Sequence, residues 1–131
     1  MKLIQQTEFN HRDLIKKKNN TTNKGIVFLK SNKTIKKIHL SEIDYFEAKK
    51  NKAMCFIKGE AISLGMELKH IEEMLSKEDF IRIHKSYIIP IGKIDRISGH
   101  TVYINDEVVL PIGMCYRKPF YLMLNSFIFI N

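Results

Sequence analysis

From Gly25 onward the apolar residues come in short runs rich in β-branched and aromatic side chains, each closed within a few positions by Gly, Asn, Asp or Lys. A chain punctuated this often cannot sustain long helices; it points to many short strands joined by turns. Ile26-Val27-Phe28-Leu29, the turn Ser31-Asn32-Lys33 and the return Thr34 to Leu40 read as a hairpin. Ile43 to Glu47, Ala53 to Ile57, the turn Lys58-Gly59-Glu60 and Ala61 to Leu64 continue the pattern. Residues 66–75 break it: Leu68, Ile71 and Leu75 recur at helical spacing, with Glu67, Lys69, His70, Glu72 and Glu73 between them, which predicts one amphipathic helix. Ser76 to Asp79 ends it, and Phe80 to His84 resumes extended alternation. Pro90 and Gly92 turn the chain after the run from Tyr87. Lys93 to Ser98, Thr101 to Ile104, the Asn105-Asp106 turn and Val108 to Ile112 add further strands. A short C-terminal helix is expected from near Met114, with Pro119 either in its first turn or bending it.

The chain is 131 residues long, enough for one domain with a hydrophobic core and too short for two of ordinary size. Residues 1–24 form a polar stretch, with Lys16-Lys17-Lys18-Asn19-Asn20 at its centre, that reads as a basic arm or linker. Residues 25–124 carry the strand pattern, and 125–131 form an apolar tail, in which Phe127-Ile128-Phe129-Ile130 could form an edge strand or a subunit contact, packing on the same chain being the expectation. The net charge of +8 attracts nucleic acid, anionic lipid or acidic proteins alike. Six basic residues precede Gly25 against only Glu8 and Asp13, so half of the excess belongs to the arm. No run approaches the roughly 18–20 apolar residues that span a bilayer, and the N-terminus carries no secretory signal, so a cytoplasmic protein without a membrane partner is expected. Cys55 and Cys115 lie far apart with no companion ligands, and both read as small buried hydrophobes. No metal and no cofactor is expected.

Phe80-Ile81-Arg82-Ile83-His84-Lys85-Ser86-Tyr87-Ile88-Ile89 resembles the Phe-x-Arg-x-His-Arg-Ser-Tyr-x-Val signature of the LytTR DNA-binding domain of bacterial response regulators. Two further segments agree: Ile43-Asp44-Tyr45-Phe46-Glu47-Ala48 resembles the family's early strand, and Leu110-Pro111-Ile112-Gly113-Met114-Cys115-Tyr116-Arg117 resembles its closing Ile-Pro-Val-Ser-Arg-x-Tyr. The resemblance implies a mainly β, elongated domain of small packed sheets whose loops enter successive major grooves. It also implies a transcriptional regulator that binds promoter repeats in double-stranded DNA, with two copies on DNA as the expected arrangement. A receiver domain usually precedes this module; none is legible here, so a stand-alone regulator set by expression, dimerisation or a partner is expected.

Carried over position by position, the resemblance turns three loops towards DNA: one around Lys50-Asn51-Lys52, one around His84-Lys85-Ser86, and one at Gly113-Met114 leading to Arg117. The residue chemistry is compatible. Lys49, Lys50, Lys52, Lys85 and Arg117 suit phosphate contacts, while Asn51 and Lys85 are the candidates for base readout, as amide and ammonium partners of adenine and guanine. Strand alternation puts Arg82, His84 and Ser86 on one face, with His84 and Ser86 donating to phosphate, and Ile81 and Ile83 on the other. The competing structural reading of His84 is a half-buried histidine bonded to backbone. Departures from the family pattern matter too. Gly113-Met114 stands where Ser-Arg is common, leaving Arg117 or Lys118 to replace the missing guanidinium. Pro90 stands where Asn is frequent, and Lys85 exchanges a planar fork for a point charge.

An enzyme is not expected. His84 and Ser86 as i, i+2 strand neighbours point in parallel rather than towards each other, and no phosphate loop, nucleophile elbow or metal motif is present. RNA binding is disfavoured because Phe28, Phe46, Phe56 and Phe80 sit in apolar runs and read as core rather than as stacking platforms. Membrane-surface binding is disfavoured because Glu67, Glu72 and Glu73 offset Lys69 on the predicted helix.

Overall fold

The computed structural model describes residues 2–3, 25–31 and 33–127, so the rest of the expected arm and of the tail lies outside the described residues. Eleven short strands form three antiparallel sheets among them. The first sheet has the order β1 (Lys2–Leu3), β2 (Ile26–Ser31) and β3 (Thr34–His39). The central sheet comprises β4 (Ile43–Lys49), β5 (Lys52–Ile57), β6 (Glu60–Leu64), β7 (Phe80–His84) and β8 (Tyr87–Pro90), in the order β6-β5-β4-β8-β7. The last sheet is the meander β9 (Ile94–Ser98), β10 (Thr101–Ile104) and β11 (Val108–Pro111).

Local chemistry explains the connections. β5 and β6 join through Lys58 and Gly59, both at positive φ (49° and 85°), the two-residue turn whose twist matches that of its strands. Helix α1 (Leu68–Met74) links β6 to β7 and buries Leu68, Ile71 and Met74. It is shorter than its periodicity predicts. Leu75 leaves the helix with ψ 145°, so Met74, not Leu75, completes the buried row. Helix α2 (Arg117–Asn125) follows a 3-10 turn at Met114–Tyr116. Pro119 falls in its first turn, where a missing N–H costs no intrahelical bond, and the Ser126 hydroxyl donates to the Met123 carbonyl at 2.7 Å.

The central sheet is buried on both faces. Ile88 and Ile89 are consecutive, so they point to opposite sides, and they are 1% and 0% exposed. One face packs Phe46, Cys55, Leu64, Phe80 and Ile88 against α1 and against Leu29 and Ile38 of the first sheet. The other packs Ile83 and Ile89 against Val102, Ile104 and Leu110 of the last sheet and against Phe120 of α2, which is wholly buried. Each such side chain contributes about 1.5–3 kcal/mol by leaving water.

Two expectations about burial fail. Cys55 is buried, but Cys115 is exposed, because it falls in the 3-10 turn that precedes α2 rather than on a packed strand face. Phe46 and Phe80 are core, whereas Phe28 is 44% exposed. In the β2–β3 pair, Leu29 points inward, so its neighbour Phe28 must point outward, opposite Lys37. Phe127, the one described residue of the apolar tail's Phe-Ile-Phe-Ile run, is 55% exposed just beyond α2.

Candidate nucleic-acid interface

β4 and β8 run antiparallel with Glu47 opposite Tyr87, so the end of β4 lies beside the start of β8. The β4–β5 turn at Lys50-Asn51 and the β7–β8 turn at Lys85-Ser86 therefore leave the central sheet at the same end. An Ala48 N–H to Ser86 carbonyl bond of 2.9 Å ties them together. The third loop joins them from the last sheet. The Gly113 N–H donates to the Ile83 carbonyl at 2.7 Å, and a Cβ built on Gly113 would lie 3.3 Å from His84 Cδ2 and 3.2 Å from Tyr116 Cδ2. Glycine thus lets the third loop lie against the second at a spacing that most side chains would strain. All three sequence-predicted loops converge on one end of the molecule.

The first loop is a cationic hairpin tip. Lys49 and Lys52 face each other across the pair, with Lys50 and Asn51 between them, and all four are exposed. Among the described residues none of these lysines takes part in a salt bridge. Like charges directly opposite destabilise a strand pair, and Lys50 adds a left-handed φ of 58°. Local stability does not account for this tip.

The second loop is held rigidly by its own strand. The register of β7 on β8 shifts between Arg82 and His84, so β7 carries an extra residue, Ile83, that β8 does not match. Through that bulge the Arg82 guanidinium reaches along the strand. Its Nε donates to the His84 carbonyl at 3.0 Å, one terminal nitrogen to the Lys85 carbonyl at 2.5 Å, and the other to Glu72 of α1 at 2.8 Å. Its charge also lies 5.9 Å from the Tyr116 ring centre. His84 is half-buried, and its Nδ1 accepts the Ser86 N–H at 3.0 Å, which leaves the proton of the neutral ring on Nε2. The backbone bond of the competing structural reading is therefore present, and the other ring nitrogen is still a donor. Lys85 itself is exposed.

In the third loop Met114 is 77% exposed. Arg117 is half-buried, with Nε bonded to the Ile112 carbonyl at 3.3 Å, while Lys118 is exposed in the first turn of α2. Beneath the loops Tyr45 stacks on Phe56 with ring centres 4.5 Å apart, and Tyr87 meets Tyr45 edge-on at 6.2 Å. Burial, with help from nearby Glu47, raises the phenol pKa of both tyrosines above the ordinary value. Neither ionises near neutral pH.

The structure brings together Lys49, Lys50, Asn51, Lys52, His84, Lys85 and Ser86. It directs Arg82 inward, because the bulge defeats the simple alternation that would put its side chain beside that of His84 on the open face. Sequence reasoning missed Glu72 and Tyr116, the partners of Arg82. A strand arginine ten residues after a helical glutamate is no recognisable signal. Among the described residues no group of three or more His, Cys, Asp and Glu is placed to hold a metal ion, and no helix is long and apolar enough to cross a membrane.

Comparisons with known proteins identify the family and the fold. The family model of the LytTr DNA-binding domain matches residues 33–125. Among solved structures the chain is similar to the LytTr DNA-binding domain of a methyl-accepting/DNA response regulator from Bacillus cereus. The two are 25% identical and superpose with a TM-score of 0.67 over 78% of this chain and 98% of that one. No curated protein matches the chain.

Proposed function

The chain belongs to the LytTr DNA-binding domain family, a DNA-binding rather than a catalytic domain of transcriptional regulators, and from that premise we propose that it binds double-stranded DNA sequence-specifically through its three clustered loops. Residues 25–124 form the binding unit in this reading, the basic arm 1–24 adds phosphate contacts, and two copies occupy neighbouring promoter repeats in the cytoplasm. Lys49, Lys50, Lys52 and Lys118 neutralise phosphates, with Arg117 through whichever donors its Ile112 bond leaves. His84 Nε2 and the Ser86 hydroxyl donate to phosphate oxygens. Asn51 and Lys85 reach base edges in the major groove.

The observation that carries the reading is the convergence of the three loops, with exposed, unpaired lysines, on a backbone already fixed by internal bonds. A fixed loop loses little freedom on binding, so more of its contact energy appears as affinity and discrimination. The natural alternative use of these lysines, structural ion pairing, finds no carboxylate partner for Lys49, Lys50, Lys52 or Lys85 among the described residues.

Selection of bound sequences from a random duplex pool, followed by affinity measurements across a salt series, tests it. Asn51→Ala and Lys85→Ala are expected to lose about 1–3 kcal/mol on the selected duplex and much less on a scrambled one. Lys49→Ala is expected to weaken both alike and to flatten the salt dependence by about one unit. Equal losses on both duplexes for Asn51→Ala and Lys85→Ala would refute base readout.

A further inference from the structure

The β7–β8 turn is held from a distance. Its two carbonyls at His84 and Lys85 are bound by one guanidinium, and that guanidinium is bound in turn by the Glu72 carboxylate of α1. We propose that Glu72, an acidic residue in a protein that binds a polyanion, is a positioning residue for DNA recognition: it fixes the Arg82 fork and so sets the direction in which Lys85 leaves the backbone. The inference rests on the assignment of Lys85 to base readout made above.

The geometry makes Glu72 the outer member of a relay. The Arg82 side chain is 15% exposed and that of Glu72 is 42% exposed, so Glu72 is the more solvent-exposed member of the pair. Arginine is a planar fork whose donors act in fixed relative directions. With one terminal nitrogen bound to Glu72, Nε and the other terminal nitrogen are aimed at the turn. Without the carboxylate, the fork is free to rotate about its long stem and to exchange the turn carbonyls for water or for a DNA phosphate. Either exchange releases the backbone at Lys85. Recognition groups need a supporting shell that locks their geometry.

Charge and positioning predict opposite signs here. Deleting an anion near bound DNA should tighten binding to every duplex if Coulomb attraction alone governs the outcome. Loosening the turn should instead reduce the preference for the correct duplex. Glu67 supplies the control: it is exposed at the start of the same helix and makes no capping bond through its side chain, so Glu67→Gln removes the same charge without touching Arg82.

The experiment measures dissociation constants of the full chain for a pool-selected duplex and for its scrambled counterpart, in wild type, Glu72→Gln, Arg82→Lys and Glu67→Gln. Amide hydrogen exchange at Ser86, whose N–H is bonded to His84 Nδ1, is followed in the same proteins without DNA. Glu72→Gln and Arg82→Lys are expected to lower the ratio of scrambled to selected dissociation constants by about threefold to tenfold and to speed Ser86 exchange. Glu67→Gln is expected to leave both readouts as in wild type. An unchanged ratio in Glu72→Gln, or the same change in Glu67→Gln, overturns this inference alone. A wild-type protein that does not distinguish the two duplexes overturns the loop-reading assignment and this inference with it.

Discussion

Lys50 occupies a conformation that its own chemistry resists. At φ 58° its β-carbon crowds the following carbonyl, at a cost of about 1–2 kcal/mol that glycine escapes, and it sits between two further lysines. Lys50→Gly is therefore expected to raise stability by about 0.5–1 kcal/mol, after glycine's larger unfolded-state entropy is deducted. The same change is expected to weaken DNA binding at low salt and to reduce the salt slope by about one unit. Urea midpoints and affinities of the one variant, moving in opposite directions, check it; loss of stability would show that the turn depends on the lysine. The charged tip was legible in the sequence, since adjacent lysines and an asparagine between two strands can only form an exposed turn. The role of Arg82 was not legible. Alternation assigns it to the face of His84, and only the unmatched Ile83 in the pairing reveals that its fork is turned back onto its own loop.

Among the elements, β5 shows how a buried row behaves when one member can ionise. Ala53, Cys55 and Ile57 point into the core, and burial, reinforced by the negative charge of Asp44, pushes the Cys55 thiol from 9.0 up to about 12. Well below pH 9 the thiol is protonated in folded and unfolded chains alike, and it leaves stability untouched. Between pH 9 and 12 the unfolded chain releases the proton while the folded chain retains it, so stability falls as pH rises. Urea denaturation across that range is expected to fall less steeply for Cys55→Ala than for wild type. A thiol reagent near pH 8 should modify the exposed Cys115 quickly and Cys55 only on unfolding. The sequence foretold the strands and both helices because their periodicities are strong. It misjudged the end of α1 because Met74 and Leu75 are both apolar, and the choice between them rests on where the backbone breaks. It misjudged Cys115 because a 3-10 turn of Met, Cys and Tyr looks as apolar as a packed segment.

At the scale of the molecule, the placement of β8 beside β4 could not be read from local patterns, since the two are separated in sequence by β5, β6, α1 and β7. The family resemblance supplied the three loops but not this pairing, which only the structure reveals. That placement brings the first two loops together, and it also makes the central sheet the floor of both hydrophobic clusters. The described residues are therefore expected to unfold in one cooperative transition. Phe120→Ala, on one face, should cost about 3–5 kcal/mol. It should shift tyrosine fluorescence, far-ultraviolet dichroism and Cys55 reactivity on the opposite face to the same new midpoint. Two separated midpoints would show that the faces melt independently. Ile88 and Ile89 are bonded neighbours that look into different interiors, so damage to β8 is felt on both flanks at once. A protease cut or an inserted charge there would find no surviving half into which the rest of the chain could retreat.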